Sequence, residues 1–159
     1  DLMSSWRSHM PGDLPIKRLV GVGLNAVEME QNPQLDERVV HDVNADPALR
    51  FEDLSFDAAV LTVSVQYLTR PVEVFSEVNR ILKDGAGFHV IYSNRMFPTK
   101  AVAVWQALDD HGRAKFIESY FASSGGWDRL QKLDISPRPG FYTDPVYVVS
   151  ARKVKGGES

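Results

Sequence analysis

Residues 54–90 read LSFDAAVLTVSVQYLTRPVEVFSEVNRILKDGAGFHV, and they decide the fold of this chain. The run 57–65 is almost continuously apolar, as expected of a parallel strand that is buried on both faces of a sheet. Residues 71–83 open with a proline and carry apolar side chains at helical spacing. The glycine-rich turn 84–87 ends this helix and residues 88–93 begin a second strand. A strand, a helix and a strand in this order predict a parallel βαβ unit.

The same alternation extends in both directions from this unit. Upstream, the pattern predicts strands at 18–24 and 37–43 with a short helix at 26–31 between them. Downstream, it predicts helices at 99–109 and 114–122, and then two strands at 129–135 and 146–151. No helix separates this last pair, so we expect it to be antiparallel. The sequence therefore predicts an α/β fold, doubly wound, with a mainly parallel sheet and an antiparallel closing strand.

Composition narrows the classes of function that the chain can have. The 159 residues are 43% hydrophobic and 25% charged, which is typical of one globular domain. We expect that domain over residues 1–153, followed by a disordered tail at 154–159. The net charge of −3 provides no basic field for nucleic acid or an anionic membrane, and the absence of cysteine excludes disulfides and thiolate metal sites. No apolar run reaches the roughly 18 residues of a membrane span.

A doubly wound sheet binds its ligands outside the carboxyl ends of its strands. We therefore expect functional residues around Asn25, Asp42, Val63 and Ser93, which follow four of the predicted strands. The four histidines lack the spacing of metal ligands, so no metal site is predicted. Two large aromatic side chains, Trp6 and Trp105, are expected in the core.

Residues 21–26 offer one competing interpretation. They read Gly-Val-Gly-Leu-Asn-Ala, which matches the G-x-G-x-x-A fingerprint of NAD(P)-linked oxidoreductases, and Asp42 stands where such enzymes place a ribose-binding acid. Against this, both glycines fall inside the predicted strand and the following helix is short. The glycines could equally serve only to let neighbouring elements pack closely against the sheet.

Several stretches together resemble a class I, Rossmann-like, S-adenosylmethionine-dependent methyltransferase of the type 11 group. Residues 54–60 resemble the family's entry into its fourth strand, and residues 65–71 resemble the loop that follows it. Residues 75–88 resemble the helix and turn before the fifth strand. A narrower resemblance, to methyltransferase-like proteins of plants, algae and bacteria, rests on residues 1–11, 21–28 and 93–101.

The resemblance also implies where this chain departs from the family. Asp1 matches the acid of the first cofactor-binding loop, so the chain is expected to begin inside that loop, with the first strand and the preceding helices missing. The glycines of that loop are replaced by Ser4-Ser5-Trp6. The acid that usually ends the second strand is replaced by Gly23, with Asn25 close behind, so we expect weaker ribose binding. These changes leave open a second alternative, a cofactor-binding module without catalysis.

The resemblance implies S-adenosylmethionine as the cofactor and a small molecule as the methyl acceptor. The amino-acid end of the cofactor should meet Asp1, Ser4 and Ser5, the ribose should meet Gly23, Leu24 and Asn25, and the adenine should lie between Asp42 and Val43. Thr62 and Val63 should touch the cofactor from the central strand. Tyr67 stands where many relatives place a histidine near the methyl group, which makes it the candidate catalytic residue, and Gln66 and Arg95 are candidates for the acceptor pocket. We expect Asp1 and Asp42 to converge on one pocket.

Overall fold

The structure, a computed structural model, describes residues 1–137 and 144–156. The strands are β1 (Val20–Gly23), β2 (Glu37–Val40), β3 (Phe56–Thr62), β4 (Leu82–Ser93), β5 (Trp127–Asp134) and β6 (Val146–Lys153). The helices are α1 (Ala26–Glu30), α2 (Pro71–Ile81), α3 (Ala103–Ala107) and α4 (Asp110–Ser124), with a 3-10 turn at Val65–Tyr67. Within the described residues, no helix combines the length and the apolar character that crossing a bilayer requires.

One mixed sheet organises these elements in the order β2–β1–Leu2–β3–β4–β6–β5. Leu2 forms parallel bridges to Val22 of β1 and to Leu61 of β3, and it thereby joins the two parts of the sheet. Its backbone N–H donates to the carbonyl of Val60 at 2.8 Å. β1 pairs parallel to β2 and β3 pairs parallel to β4, whereas β6 runs antiparallel to both β4 and β5. This arrangement confirms the predicted α/β class with an antiparallel closing strand.

The core lies where α2 and α4 pack on the sheet around Phe75. This ring is fully buried, and its centroid lies 4.9 Å from those of Phe88 and Phe121 and 5.5 Å from that of Tyr120, all in edge-to-face geometry. Such aromatic pairs add stabilisation beyond the area that they bury. The strongest apolar pattern of the sequence, that of α2, thus supplies the centre of the core.

Two predicted helices end or begin elsewhere than expected. α2 ends at Ile81 rather than at the turn 84–87, because Leu82 already pairs with Phe56 and the residues after it bulge out of the β3–β4 register. The helix predicted at 99–109 is limited to Ala103–Ala107. Asp109 accepts a hydrogen bond from the N–H of Gly112 at 2.7 Å and so begins α4, which separates the two helices.

The segment after Ser5 also differs from expectation. Trp6 is 48% exposed, so its predicted place in the core is wrong, whereas Trp105 is fully buried as predicted. The segment is held by polar contacts instead: the amide of Asn32, itself fully buried, donates to the carbonyl of Ser5 and to the hydroxyl of Ser8, each at 3.0 Å. These bonds leave the indole ring free to lie at the surface.

The predicted chain end falls only partly within the described residues. Val154 N–H donates to the carbonyl of Gly126 at 3.0 Å and Gly156 N–H donates to the carboxylate of Asp84 at 2.9 Å. Residues 157–159, the rest of the predicted disordered tail, lie outside the described residues, as do residues 138–143 of the loop predicted between the closing strands.

Arg80 ties α2 to the loop before β3. Its guanidinium donates to the carbonyls of Leu49 and Phe51 at 2.7 and 2.8 Å and to the carboxylates of Asp53 and Glu77 at 2.7 and 2.9 Å. Glu77 in turn accepts the N–H of Leu49 at 2.7 Å. This network fixes the loop that connects β2 to β3.

We expect the Glu77–Arg80 pair to make stability depend on pH. The hydrogen bond from Arg80 holds the pKa of Glu77 below its ordinary value of 4.5. A depressed pKa in the folded state stabilises the fold above pH 4.5, and this contribution is lost as pH falls through the folded value. Urea unfolding should therefore show Glu77→Gln to be about 1–2 kcal/mol less stable than the unmodified chain at neutral pH, with the gap closing below about pH 4.5.

Glu73→Gln is the matched control for this measurement. Glu73 lies on the same helix and pairs with Arg70, but its side chain is 55% exposed against 24% for Glu77. An exposed pair contributes about 0–1 kcal/mol, so its replacement should change stability little at any pH. A gap for Glu77→Gln that stays constant from neutral to acidic pH would contradict the expected linkage.

Candidate functional site

The loops that follow β1, β2, β3 and the short pairing segment at Leu2 surround one open cleft at the carboxyl ends of the parallel strands. The cleft has a volume of about 160 Å³. Enclosed ligand pockets typically measure about 300–1,000 Å³, so a larger ligand would lie here with one side open to solvent. The cleft is lined by Met3, Ser4, Ser5, Val22, Gly23, Leu24, Asn25, Glu28, His41, Asp42, Val43, Asn44 and Ser64.

Seven of the ten residues predicted to bind the cofactor line this cleft. They are Ser4, Ser5, Gly23, Leu24, Asn25, Asp42 and Val43. The other three, Asp1, Thr62 and Val63, adjoin it in the chain without lining it. The structure thus brings together residues that lie up to about forty positions apart in the sequence, at the edge of the sheet where such folds bind ligands.

Asp1 reaches the cleft only through its neighbour. Its carboxylate accepts the hydroxyl proton of Ser4 at 2.7 Å, and Ser4 itself is buried at the cleft wall. The expected convergence of Asp1 and Asp42 on one cavity is therefore indirect: Asp42 lines it, and Asp1 orients a serine that lines it. The N–H of Ser4 donates to the carbonyl of Val22 at 2.8 Å, which fixes this wall against β1.

The two glycines of the dinucleotide-like motif lie inside β1. A Cβ at Gly21 would lie 2.6 Å from the side chain of Leu35, and one at Gly23 would lie 2.2 Å from the carbonyl oxygen of Ser4. Gly23 is therefore required for the close approach of the Ser4 backbone to the strand, whereas at Gly21 the end of the Leu35 side chain could move aside. They form no turn in front of a helix, and α1 has only five residues. The motif lacks the geometry of a pyrophosphate loop, so the oxidoreductase interpretation is not favoured.

The segment after β2 is a tight turn built on Asp42. One carboxylate oxygen of Asp42 accepts the N–H groups of Asn44 and Ala45 at 2.9 and 3.3 Å. The amide of Asn44 donates to the carbonyl of Tyr67 at 2.9 Å and accepts the N–H of Thr69 at 2.9 Å. Asn44 thus clamps the loop after β3 to the loop after β2, and both loops face the cleft.

The chain turns sharply at the end of β3. Val63 has a φ of 51°, a conformation that a β-branched side chain rarely adopts. This turn presents Ser64, which lines the cleft, while the hydroxyl of Ser64 donates to the carbonyl of Thr62 at 3.1 Å. Backbone conformations of this kind concentrate at functional sites, and the position at the end of a central strand agrees with that tendency.

Three residues, Gln66, Tyr67 and Arg95, are predicted for catalysis or acceptor binding, and each has its own contacts in the structure. The hydroxyl of Tyr67 accepts the N–H of Phe97 at 3.0 Å. Gln66 is fully buried and donates to the carbonyls of Val63 and Arg95 at 3.3 and 3.4 Å. Arg95 is exposed and pairs with Asp144 at 2.5 Å. None of the three lines the cleft, so this placement supports a structural part for Gln66 and a surface ion pair for Arg95.

Sequence analysis did not predict several residues of the cleft wall. Glu28, His41, Asn44 and Ser64 line it, and each stands within three positions of a residue that was predicted. The spacing of Asn25 and Glu28, three residues apart at the start of a helix, is the one signal that could have indicated a shared face. The part of Asn44 depends on the approach of a second loop and has no signal in the sequence.

The charge of the cleft limits what it can bind. Its titratable side chains are Glu28, His41 and Asp42, and no lysine or arginine lines it. Such a wall favours a ligand that carries positive charge and hydroxyl groups over one that carries phosphates. In residues 1–137 and 144–156, no three histidine, aspartate or glutamate side chains are grouped so as to hold a metal ion.

A basic cleft lies at the opposite end of the strands. It is lined by Asp84, Gly85, Asp128, Arg129, Arg152, Lys153 and Lys155. It therefore lies at the amino end of β4, away from the edge where parallel sheets bind their ligands.

Comparison with known proteins identifies the family to which the chain belongs. The sequence model of the family described as "Methyltransferase domain" matches residues 8–90, just over half of the chain. No curated protein matches the sequence significantly.

Solved structures of methyltransferases share the fold. One match is a chain in a complex between the Haloferax volcanii Trm112 methyltransferase activator and a methyltransferase. It is 16% identical in sequence, with a TM-score of 0.62, over 91% of this chain and 75% of the matched chain. An S-adenosylmethionine-dependent methyltransferase of Thermotoga maritima is 15% identical, with a TM-score of 0.61, over 85% and 72%. The phosphoethanolamine N-methyltransferase 2 of Haemonchus contortus, in complex with S-adenosylmethionine, is 14% identical, with a TM-score of 0.56, over 87% and 44%. At these identities the likeness shows the fold.

Proposed function

The chain belongs to the methyltransferase domain family, and on that basis we propose that it transfers a methyl group from S-adenosylmethionine to a small-molecule acceptor. The cofactor of this family is S-adenosylmethionine. One observation carries the proposal: seven residues assigned to the cofactor from the sequence line a single cleft whose charge suits a sulfonium and an ammonium group.

The residues present in the cleft fit an adenosyl ligand. Ser4 and Ser5 offer hydroxyl groups for the carboxylate of its amino-acid end. Leu24 and Asn25 would lie beside the ribose, and Val43 would provide an apolar wall for the adenine. Asp42 keeps one carboxylate oxygen in its own turn, and the other is available to accept the exocyclic amine of the adenine.

Methyl transfer requires the protein mainly to position the cofactor and the acceptor. When bound, S-adenosylmethionine supplies an activated sulfonium methyl. The residues of the cleft hold the adenosyl group, exclude water from one side of it and align the acceptor for in-line displacement, which can supply much of the acceleration. The turn at Val63 and the clamp of Asn44 keep the two loops in register for this alignment.

The remaining site residues stay proposals. Tyr67 is the candidate catalytic group, through its ring or its hydroxyl, and Gln66 and Arg95 remain candidates for the acceptor side. Asp1, Thr62 and Val63 act through their neighbours Ser4 and Ser64. We also assign the chain to the plant, algal and bacterial subgroup of methyltransferase-like proteins, on the sequence of residues 1–11, 21–28 and 93–101.

Two measurements test the proposal against its alternatives. In calorimetric titration, S-adenosylhomocysteine should bind with a micromolar dissociation constant, about −8 kcal/mol, and NADH should not bind. Binding of NADH in preference would overturn the proposal in favour of an oxidoreductase. Transfer of a labelled methyl group to any acceptor would then separate a methyltransferase from the module without catalysis that the altered Ser4-Ser5-Trp6 loop also allows.

Asp42→Asn should weaken the binding of S-adenosylhomocysteine by about tenfold, because the substitution removes a charged acceptor while an amide oxygen still holds the turn. Asp46→Asn is the control. Asp46 is exposed and caps the N–H of Ala48 at 3.0 Å outside the cleft, so its replacement should leave the affinity unchanged. Equal effects of the two substitutions would contradict the assigned part of Asp42.

A further inference from the structure

The basic cleft at the amino end of β4 gathers positive charge that no ion pair neutralises. It has a volume of about 350 Å³, and its four cations come from β5, from β6 and from the residues after β6. They are Arg129, Arg152, Lys153 and Lys155. Within residues 1–137 and 144–156, none of the four forms an ion pair. The cleft is therefore a local concentration of positive charge on a chain whose net charge is −3.

The two carboxylates of the cleft do not cancel this charge. Asp84 accepts the N–H of Gly156 at 2.9 Å, and this bond holds the chain after β6 beside the cleft. Asp128 lies opposite Arg152 in the β5–β6 register, but the two side chains form no ion pair. The positive field also reaches His89: burial lowers the pKa of this side chain, and the charge of Arg152 lowers it further. With four cations against two carboxylates, the cleft keeps an excess of positive charge.

Backbone carbonyls hold two of the cations in place. The guanidinium of Arg152 donates to the carbonyl of Gly85 at 3.0 Å, and the ammonium of Lys153 donates to the carbonyl of Leu82 at 2.9 Å. Each bond uses only one of the N–H groups that these side chains carry, so the others are able to donate to a ligand. The cleft thus has donors that are positioned before any ligand binds.

Arg129 lies in this cleft at a bulge of the edge strand β5. The β5–β6 register shifts between Asp128 and Gln131, so that two residues of β5 oppose Ala151 alone. Arg129, the first of the two, has a φ of 50°, a left-handed conformation that is unfavourable for residues other than glycine. Bulges re-aim side chains and are common next to binding sites, where unfavourable backbone conformations also concentrate. The strand therefore keeps an arginine in the cleft at a conformational cost.

We propose that the basic cleft binds a diphosphate group. Arg129 and Arg152 belong to two different strands, and each guanidinium can bind one phosphate through two parallel N–H groups. Lys153 and Lys155 add compact positive charges beside them. A cleft of about 350 Å³ has room for a ligand of this size. It lies at the opposite end of the strands from the cleft assigned to S-adenosylmethionine, so the inference is independent of the proposed function.

Calorimetric titration with inorganic pyrophosphate at constant ionic strength tests this assignment. The unmodified chain should bind one pyrophosphate, and it should bind orthophosphate at least about tenfold more weakly, because orthophosphate lacks the second phosphate for the second guanidinium. Arg129→Gln should weaken pyrophosphate by about tenfold. Arg50→Gln is the matched control: it removes the same charge from an exposed arginine that does not line the cleft, so it should leave the affinity unchanged.

Arg129→Gly separates ligand binding from a purely structural part of the bulge. Glycine adopts a φ of 50° readily, so this variant should unfold in urea at the same or a higher midpoint than the unmodified chain, while it binds pyrophosphate about tenfold more weakly. A lower midpoint would assign Arg129 to the fold and overturn the proposal. The same conclusion would follow from equal losses of affinity for Arg129→Gln and Arg50→Gln, from equal affinities for pyrophosphate and orthophosphate, or from no binding by the unmodified chain.

Discussion

Gly23→Ala is expected to destabilise the fold by about 3 kcal/mol and to weaken S-adenosylhomocysteine by at least about tenfold. The new methyl group would lie 2.2 Å from the carbonyl oxygen of Ser4 and 3.0 Å from the sulfur of Met29. The first contact is to backbone, so side-chain rotation cannot relieve it. Ser4 must move, and this movement breaks its bond to Val22 and shifts a wall of the cleft.

Two further glycines turn this prediction into a graded series. At Gly12 an added Cβ meets nothing within 4 Å, so Gly12→Ala should change stability by less than about 1 kcal/mol. At Gly21 the Cβ would meet the end of the Leu35 side chain, which can rotate, and the effect should be intermediate. Urea unfolding and calorimetry measure the two properties. A Gly23→Ala variant that matched Gly12→Ala in both would contradict the packing that joins Leu2 to β1.

Phe75→Ala should lower the free energy of unfolding by about 3–5 kcal/mol. The ring is fully buried between α4 and the sheet, within 6 Å of three other aromatic rings, and its removal leaves a cavity that these rings cannot fill without moving. Because α2 does not line the cleft, the affinity of the folded fraction for S-adenosylhomocysteine should stay the same.

Val72→Ala, on the exposed side of the same helix, is the control for this prediction. Val72 is 37% exposed, and its replacement should change stability by less than about 0.5 kcal/mol. Chemical unfolding at one temperature measures both variants. Similar losses for Phe75→Ala and Val72→Ala would show that the core is not centred where the structure has it.

The elements that the sequence predicts well are those whose burial follows from local pattern. Pro71 and the helical spacing of Phe75 and Val78 mark α2, and the apolar run before it marks β3. The errors arise where tertiary pairing overrides pattern. Leu82 belongs to a helical pattern yet joins the sheet, and Trp6 is large and apolar yet lies at the surface because buried Asn32 holds its neighbours.

The residues of the candidate site also include some that the sequence could predict and some that it could not. Asp42 and the residues around Gly23 could be predicted because they follow strands, and the carboxyl ends of parallel strands meet at one edge of a sheet. Asn44 and Ser64 could not be predicted, since their place depends on how two loops approach one another. The blocked position at Gly23 is a distance between two segments and is absent from any pattern in the chain.

The central claim is that S-adenosylmethionine binds in the cleft between Ser4 and Asp42, and backbone amide NMR during titration with S-adenosylhomocysteine tests it most directly. The account predicts that the largest shift changes fall on the amides of Gly23, Asn25, Val43 and Ser64, which line that cleft. Changes concentrated instead at the basic cleft of Arg129 and Arg152, or no changes at saturating ligand, would contradict it.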